Sequence, residues 1–196
     1  LGRLQRLLLG SVSRKVAEEA TIPVLVARGA PAESTDSPQR VLLCCVGSET
    51  SQHAADFLEK FDFPAGSTGQ VITVVESVFA GEVPEWLEEQ ARESDEEAMA
   101  HVWAEEHEKQ RGVKETLMVD YCEHLPPMFH DSKPLVVEGL PAEQILASIR
   151  REQISLVVVG ARGLSRWARL MIGSTSEKLL AHAPCSVLVV RQHEHP

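Results

Sequence analysis

The chain has 196 residues, of which 43% are hydrophobic and 5% aromatic, so it can form one sizeable core but is short for two complete domains. Its formal net charge of -10 argues against a nucleic-acid partner, because proteins that bind phosphate backbones present basic surfaces. The four cysteines form no C-x-x-C pair and no apolar run approaches the ~20 residues that span a bilayer, which predicts a cytoplasmic protein without a membrane partner.

The first segment of the chain repeats a segment near its end. Residues 1–28 align without a gap on residues 164–191, and nearly half of the positions are identical. Because the later copy closes a long unit, residues 1–28 are expected to be the last helix and strand of an earlier unit whose body is absent. The Pro- and Ser-rich residues 29–38 then predict a linker, residues 39–192 a complete domain, and residues 193–196 a tail.

The complete unit alternates short apolar runs with helical patterns. Strands are predicted at Arg40 to Val46, Gln70 to Glu76, Pro134 to Gly139, Ser155 to Gly160 and Cys185 to Arg191. Helical patterns cover residues 47–61, 84–110, 113–125, 140–154 and 174–183. This alternation predicts an α/β fold with a parallel, doubly wound sheet, whose ligands bind beyond the carboxyl ends of the strands.

Two helical faces are predicted from spacing. Ala54, Leu58 and Phe61 share one face of the first helix, with Ser48 or Thr50 as its N-cap. In the acidic central region the expected apolar face is Leu117, Tyr121, Cys122 and Leu125, and Gly112 either interrupts the helix or is tolerated within it.

Three glycines follow the fourth predicted strand of the complete unit. Gly160 and Gly163 lie at its carboxyl end, and Gly173 precedes Ser174 and Thr175 at a predicted helix start. Glycine allows close backbone approach, and a helix start offers unpaired N–H groups with a partial positive charge, so the pattern favours a phosphate ligand. The alternative is purely structural, with the glycines making turns and Ser174 acting as an ordinary N-cap.

The spacing of these glycines resembles a known signature. Gly160-x2-Gly163, nine further residues and then Gly173-Ser174 match the G-x2-G-x9-G-[ST] pattern of the ATP-binding branch of universal stress proteins, the UspA-like domains. The stretches "RVLLCCVGSETS", "VVEGLPAEQIL" and "PCSVLVVR" support the resemblance, which covers residues 39–192.

The resemblance implies a five-stranded Rossmann-like sheet, preceded here by the leftover helix and strand, and pairing of last strands in a homodimer or tandem pseudo-dimer. It implies an adenine nucleotide, ATP or AMP with or without magnesium, whose phosphates lie on Gly160, Gly163, Gly173, Ser174 and Thr175. The adenine is expected near Val46 and Val75. Binding members usually carry Asp where this chain has Val46, so loss of that carboxylate weakens the expected binding by roughly 1.5–3 kcal/mol.

Other charged residues give weaker signals. Arg162, Arg166 and Arg169 can offset phosphate charge or serve solubility and dimer contacts, and Arg162 is preferred because it lies inside the glycine turn. Glu49 and His53 are assigned to a solvated helix face, and His193 and His195 to the tail, so no catalytic or metal-binding residue is predicted.

Three functions are compared. The preferred one is a nucleotide-binding regulatory module of the stress response that is not a fast enzyme. The alternatives are a ligand-free dimerisation or protein-interaction module, supported by Val46, and a slow ATPase, for which no base is positioned. Because the resemblance implies pairing of last strands, and the repeat makes residues 23–28 the equivalent of residues 186–191, Val24 to Ala27 is expected to pair antiparallel with Val187 to Val190, within the chain or with a partner.

Overall fold

The computed structural model describes residues 10–28, 37–45, 49–75, 96–161 and 172–191. They form a six-stranded sheet in the order β1-β6-β5-β2-β3-β4. Its strands are β1 (Val24–Val26), β2 (Arg40–Cys44), β3 (Thr68–Val75), β4 (Leu135–Glu138), β5 (Leu156–Gly160) and β6 (Ser186–Val190). Strands β2 to β6 are parallel, which confirms the predicted α/β fold, and β1 is antiparallel to β6 at the edge of the sheet.

Helices cover both faces of this sheet. They are α1 (Ser11–Glu19), α2 (Glu49–Leu58), α3 (Glu96–Glu123), α4 (Pro141–Arg151) and α5 (Ser174–His182), with a 3-10 turn at Pro127–Phe129. Pro141 occupies the first turn of α4, where its missing N–H has no helical partner to lose.

Alternate residues of each strand point to opposite faces, and this period divides the core in two. Along β2, Leu42 and Cys44 join a cluster with residues of α1, α4 and α5. Val41 and Leu43 join a second cluster with residues of α2 and α3. Burial on both faces explains why the strands are apolar throughout rather than alternating with polar residues.

The two predicted helix faces are only partly correct. Ala54 and Leu58 are fully buried, but Phe61 lies beyond the end of α2 and is 37% exposed. Helix α3 runs through Gly112 without interruption, and it buries Met118 where Leu117 was expected, since Leu117 is 57% exposed. Positions 117 and 118 both fall near a stripe of period 3.6, so only the neighbouring elements decide which one is covered.

The antiparallel pairing predicted from the repeat is confirmed within one chain. The register joins Val24 to Val189, Leu25 to Leu188 and Val26 to Val187. Because β5 already pairs with the other side of β6, both edges of β6 are occupied by the same chain. A homodimer through the last strand would therefore have to displace or exchange β1. The assignment of residues 1–28 to a separate unit stays a prediction.

Candidate functional site at the carboxyl ends of the strands

The strand order creates a switch point between β2 and β5. From β2 the chain moves outward through β3 to β4, and it then returns to the opposite side of β2 to form β5 and β6. The two connections therefore lead to opposite sides of this point, and in open α/β sheets ligands bind beyond the carboxyl ends of the strands at such a point. Gly160 ends β5 at this switch point.

The N-terminus of α5 is attached to the same strand end. The buried hydroxyl of Ser176 donates to the carbonyl of Gly160 at 2.8 Å, and the Gly173 N–H donates to the carbonyl of Ala161 at 2.7 Å. Ala161 in turn donates its N–H to Val190 of β6 at 2.7 Å. These three bonds hold the first turn of α5 against the ends of β5 and β6.

Gly173 is the N-cap of α5, which corrects the alternative assignment of Ser174 to that position. With φ of -68° and ψ of 150°, Gly173 is extended, and it has no side chain to cap the helix. The first N–H groups of a helix have no partner within it, so those of Ser174 and Thr175 face outward from this turn. Ser174 is exposed and Thr175 is half-buried.

The remaining predicted site residues are divided between the described and undescribed parts of the chain. Val75 is buried at the carboxyl end of β3, and its carbonyl accepts the Gly139 N–H at 3.0 Å. Since β2 separates β3 from β5, Val75 and Gly160 lie on opposite sides of the switch point. Val46, Arg162 and Gly163 lie outside the described residues.

Ser176 is the site-positioning residue that sequence reasoning missed. From sequence, a serine at the third position of a helix is expected to be exposed to solvent. The one feature of the sequence that marked Ser176 was its recurrence as Ser13 in the repeat. The structure instead buries its hydroxyl against Gly160.

Buried thiols lie on both faces of the sheet. Burial raises the pKa of the Cys44 thiol well above its usual range, and it also raises the pKa of Cys185 and of Cys122. The pKa of Tyr121 is raised too, mainly by burial and further by the neighbouring Cys45. All of these groups are therefore neutral at pH 7, and a neutral thiol is a poor nucleophile.

Within the described ranges, no cluster of three or more His, Cys, Asp or Glu residues could hold a metal ion. None of the helices in these ranges is both long enough and apolar enough to cross a lipid bilayer.

Comparison with known proteins decides the family. A sequence model described as the universal stress protein family matches residues 38–191. The chain belongs to the universal stress protein family. A universal stress protein of Mycolicibacterium smegmatis is 27% identical over 191 residues, which cover 97% of this chain and 58% of that protein. The chain spans about half of the length of the curated relatives it matches.

Solved universal stress proteins share the fold. The protein UspA from Lactobacillus plantarum superposes with a TM-score of 0.54 at 18% identity, covering 78% of this chain and 97% of that one. A universal stress protein from Archaeoglobus fulgidus has a TM-score of 0.57 at 20% identity and covers 97% of this chain, whereas only 59% of the longer protein is matched.

Proposed function

We propose that this universal stress protein binds an adenine nucleotide at the switch point between β2 and β5 and acts as a regulatory module of the stress response rather than as a fast enzyme. The phosphates are placed at the N-terminus of α5, and the adenine toward the ends of β2 and β3. The proposal rests on one observation: the first turn of α5 is anchored to β5 and has no side-chain cap of its own.

The donors of this turn fit phosphate chemistry. Outward-facing N–H groups and the positive end of the helix dipole favour an anion, and the Ser174 and Thr175 hydroxyls add donors. The one carboxylate in the first turn is Glu177, and the Arg14 guanidinium is bonded to it. The local field is therefore less negative than the net charge of -10 suggests.

In this proposal the nucleotide is the ligand, and residues of the chain hold its phosphates in position. Ser176 fixes the distance between the helix start and the β5 end, while Ser174 and Thr175 donate to phosphate oxygens. Val46 lacks the carboxylate that binding members usually carry, so the affinity is expected to depend mainly on the phosphate contacts. ATP and AMP are both compatible with this placement, and magnesium would accompany ATP only if the phosphates recruit it.

The test combines ligand identification with a matched pair of variants. The purified chain is denatured and the released ligand identified by mass spectrometry, and ATP and AMP are titrated by calorimetry with and without magnesium. Thr175→Val keeps the shape of the side chain but removes its hydroxyl, and it should weaken ATP binding by about tenfold or more because hydrogen bonds to charged groups are worth ~1.5–3 kcal/mol.

The control is Thr116→Val. This threonine is exposed on α3, and its hydroxyl donates to the Gly112 carbonyl at 3.0 Å, its one hydrogen bond within the described part of the chain, so the change should leave nucleotide affinity unaltered. Equal affinities of Thr175→Val and the parent chain would place the phosphates elsewhere. Absence of co-purified nucleotide, together with no heat from millimolar ATP, would contradict nucleotide binding altogether.

The second candidate is the ligand-free interaction module. It is favoured by an apolar surface on α1 and β1, where Val16 is 53% and Leu25 is 52% exposed. Their repeat equivalents, Leu179 and Leu188, are 0% and 2% exposed, because α4 and α2 cover them. Failure of every nucleotide titration would leave this candidate as the preferred function.

A further inference from the structure

The contact between β1 and β6 has the symmetry of a two-fold axis. The repeat relates each residue of the first copy to the residue 163 positions later, as Leu1 to Leu164. Under this relation Val24 corresponds to Val187, and Val26 corresponds to Val189. Since Val24 pairs with Val189 and Val26 pairs with Val187, exchanging the two copies leaves the set of pairs unchanged. Leu25 faces Leu188, its own equivalent, so the pseudo-two-fold axis passes through this pair.

Two equivalent arginines make reciprocal contacts about this axis. Arg28 donates to the carbonyls at the end of α5, reaching Ala183 at 2.7 Å as well as Leu180. Its equivalent Arg191 donates to Ala17 and Glu18 at the end of α1, both at 2.7 Å. Ala17 is the equivalent of Leu180. These contacts would be equally available if two copies of the β6 side paired with each other.

One charged contact breaks the symmetry. Arg14 bonds to Glu177, and these two residues are also equivalents, so their contact lies at the same pseudo-two-fold axis. Pairing of two β6 sides would set Glu177 against a second Glu177. Exposed ion pairs add little to stability, so the main effect of this pair is on which segment binds to the β6 edge.

One buried position also differs between the two copies, and it too disfavours pairing of two β6 sides. Ala17 is fully buried in the core cluster that also contains Leu180, its equivalent. In a pairing of two β6 sides, a leucine would have to fit where the alanine is, and added methylene groups in a packed core are destabilising.

We propose that the ion pair between Arg14 and Glu177 determines which segment binds to the β6 edge. It favours the α1–β1 segment and disfavours the β6 edge of a second copy of the chain. The partner of this surface is thus a helix–strand unit with a basic residue at the position of Arg14. The interface is built for pairing of two unlike units and not for a symmetric homodimer.

The first test measures opening of β1 in the full chain by hydrogen exchange at low ionic strength. Arg14→Glu places two carboxylates at the axis and should raise the exchange rates of the β1 amides by about 2- to 5-fold, the range typical of exposed charge pairs. Glu177→Arg should act similarly. The double variant Arg14→Glu/Glu177→Arg should return the rates most of the way to the parent values; a small increase should remain because Arg14 also bonds to Glu18 of its own helix at 2.7 Å, and that contact is lost.

Lys15→Glu is the matched control. It changes the charge of α1 by the same amount, but Lys15 pairs with Glu19 of its own helix at 3.7 Å and has no contact with α5 among the described residues. Its β1 amides should exchange at the parent rate. Failure of the double variant to bring the rates back toward the parent values, or an equal effect of Lys15→Glu, would overturn the proposal.

The second test frees the β6 edge. Leu25→Pro removes a strand N–H and should detach β1. In native mass spectrometry, a mixture of Leu25→Pro and Leu25→Pro/Glu177→Arg chains should form mixed dimers several-fold in excess of like dimers. Equal amounts of mixed and like dimers would overturn the role assigned to the charge pair. Absence of dimers in every sample would show that Leu180 alone excludes a second β6 side, and would overturn that role as well.

Discussion

One contact of Gly69 in β3 decides whether replacing it by alanine raises or lowers the free energy of unfolding. A Cβ atom added at Gly69 would lie 2.5 Å from both Cδ1 and Cγ of Phe129, whereas carbon atoms normally approach to 3.5–4.0 Å. The Phe129 ring is fully buried, and its turn is held to β3 by Ser132, which donates to the Gly69 carbonyl at 2.5 Å. The ring therefore has little freedom to move away.

Gly69→Ala should lower the free energy of unfolding by about 1–3 kcal/mol, the usual cost of overpacking a core. For a domain of this size the midpoint of thermal unfolding should fall by roughly 2–12 °C. Without the clash the change would be stabilising, because alanine restricts the unfolded chain more than glycine does. The measurement is urea unfolding monitored by circular dichroism, with calorimetry for the midpoint.

Gly112→Ala is the matched control. Nothing lies within 4 Å of a Cβ at this position in α3, so alanine should raise stability by about 0.5–1 kcal/mol. Phe129→Leu should relieve part of the clash, giving a favourable coupling with Gly69→Ala in a double-mutant cycle. A neutral or stabilising Gly69→Ala, or additive effects in the cycle, would refute the reasoning.

Three further outcomes are expected. Ser176→Ala should cost about 1–3 kcal/mol by leaving the Gly160 carbonyl unpaired, while Ser13→Ala on the exposed face of α1 should change stability by less than ~0.5 kcal/mol in urea unfolding. Gly139→Ala should cost about 1–3 kcal/mol in the same assay, because φ at this residue is +127°. Burial raises the pKa of Cys44 above the ordinary thiol value of 9.0, so the contribution of Cys44 to the free energy of unfolding should be constant below pH 9 and fall above it; a Cys44→Ala variant with an undiminished slope above pH 9 would contradict this.

The family pattern and the pairing of the edge strand could be predicted from sequence. The spacing of Gly160, Gly163 and Gly173 identified the family pattern, and the repeat together with the family resemblance predicted the antiparallel pairing of β1 with β6. Both signals are read from the order of residues along the chain. The N-cap at Gly173 and the role of Ser176 could not be read in this way, since each depends on which atoms of β5 lie beside the helix start.

The sequence by itself determined the class of fold, the alternation of strands and helices, and the family, because periodicity and motif spacing are properties of neighbouring residues. Only the tertiary structure decided that α3 buries Met118 rather than Leu117 and that Phe129 fills the space beside Gly69. Only the tertiary structure also brought Arg14 against Glu177, its own equivalent in the repeat. These contacts join residues far apart in the chain, and packing between elements, not local preference, selects them.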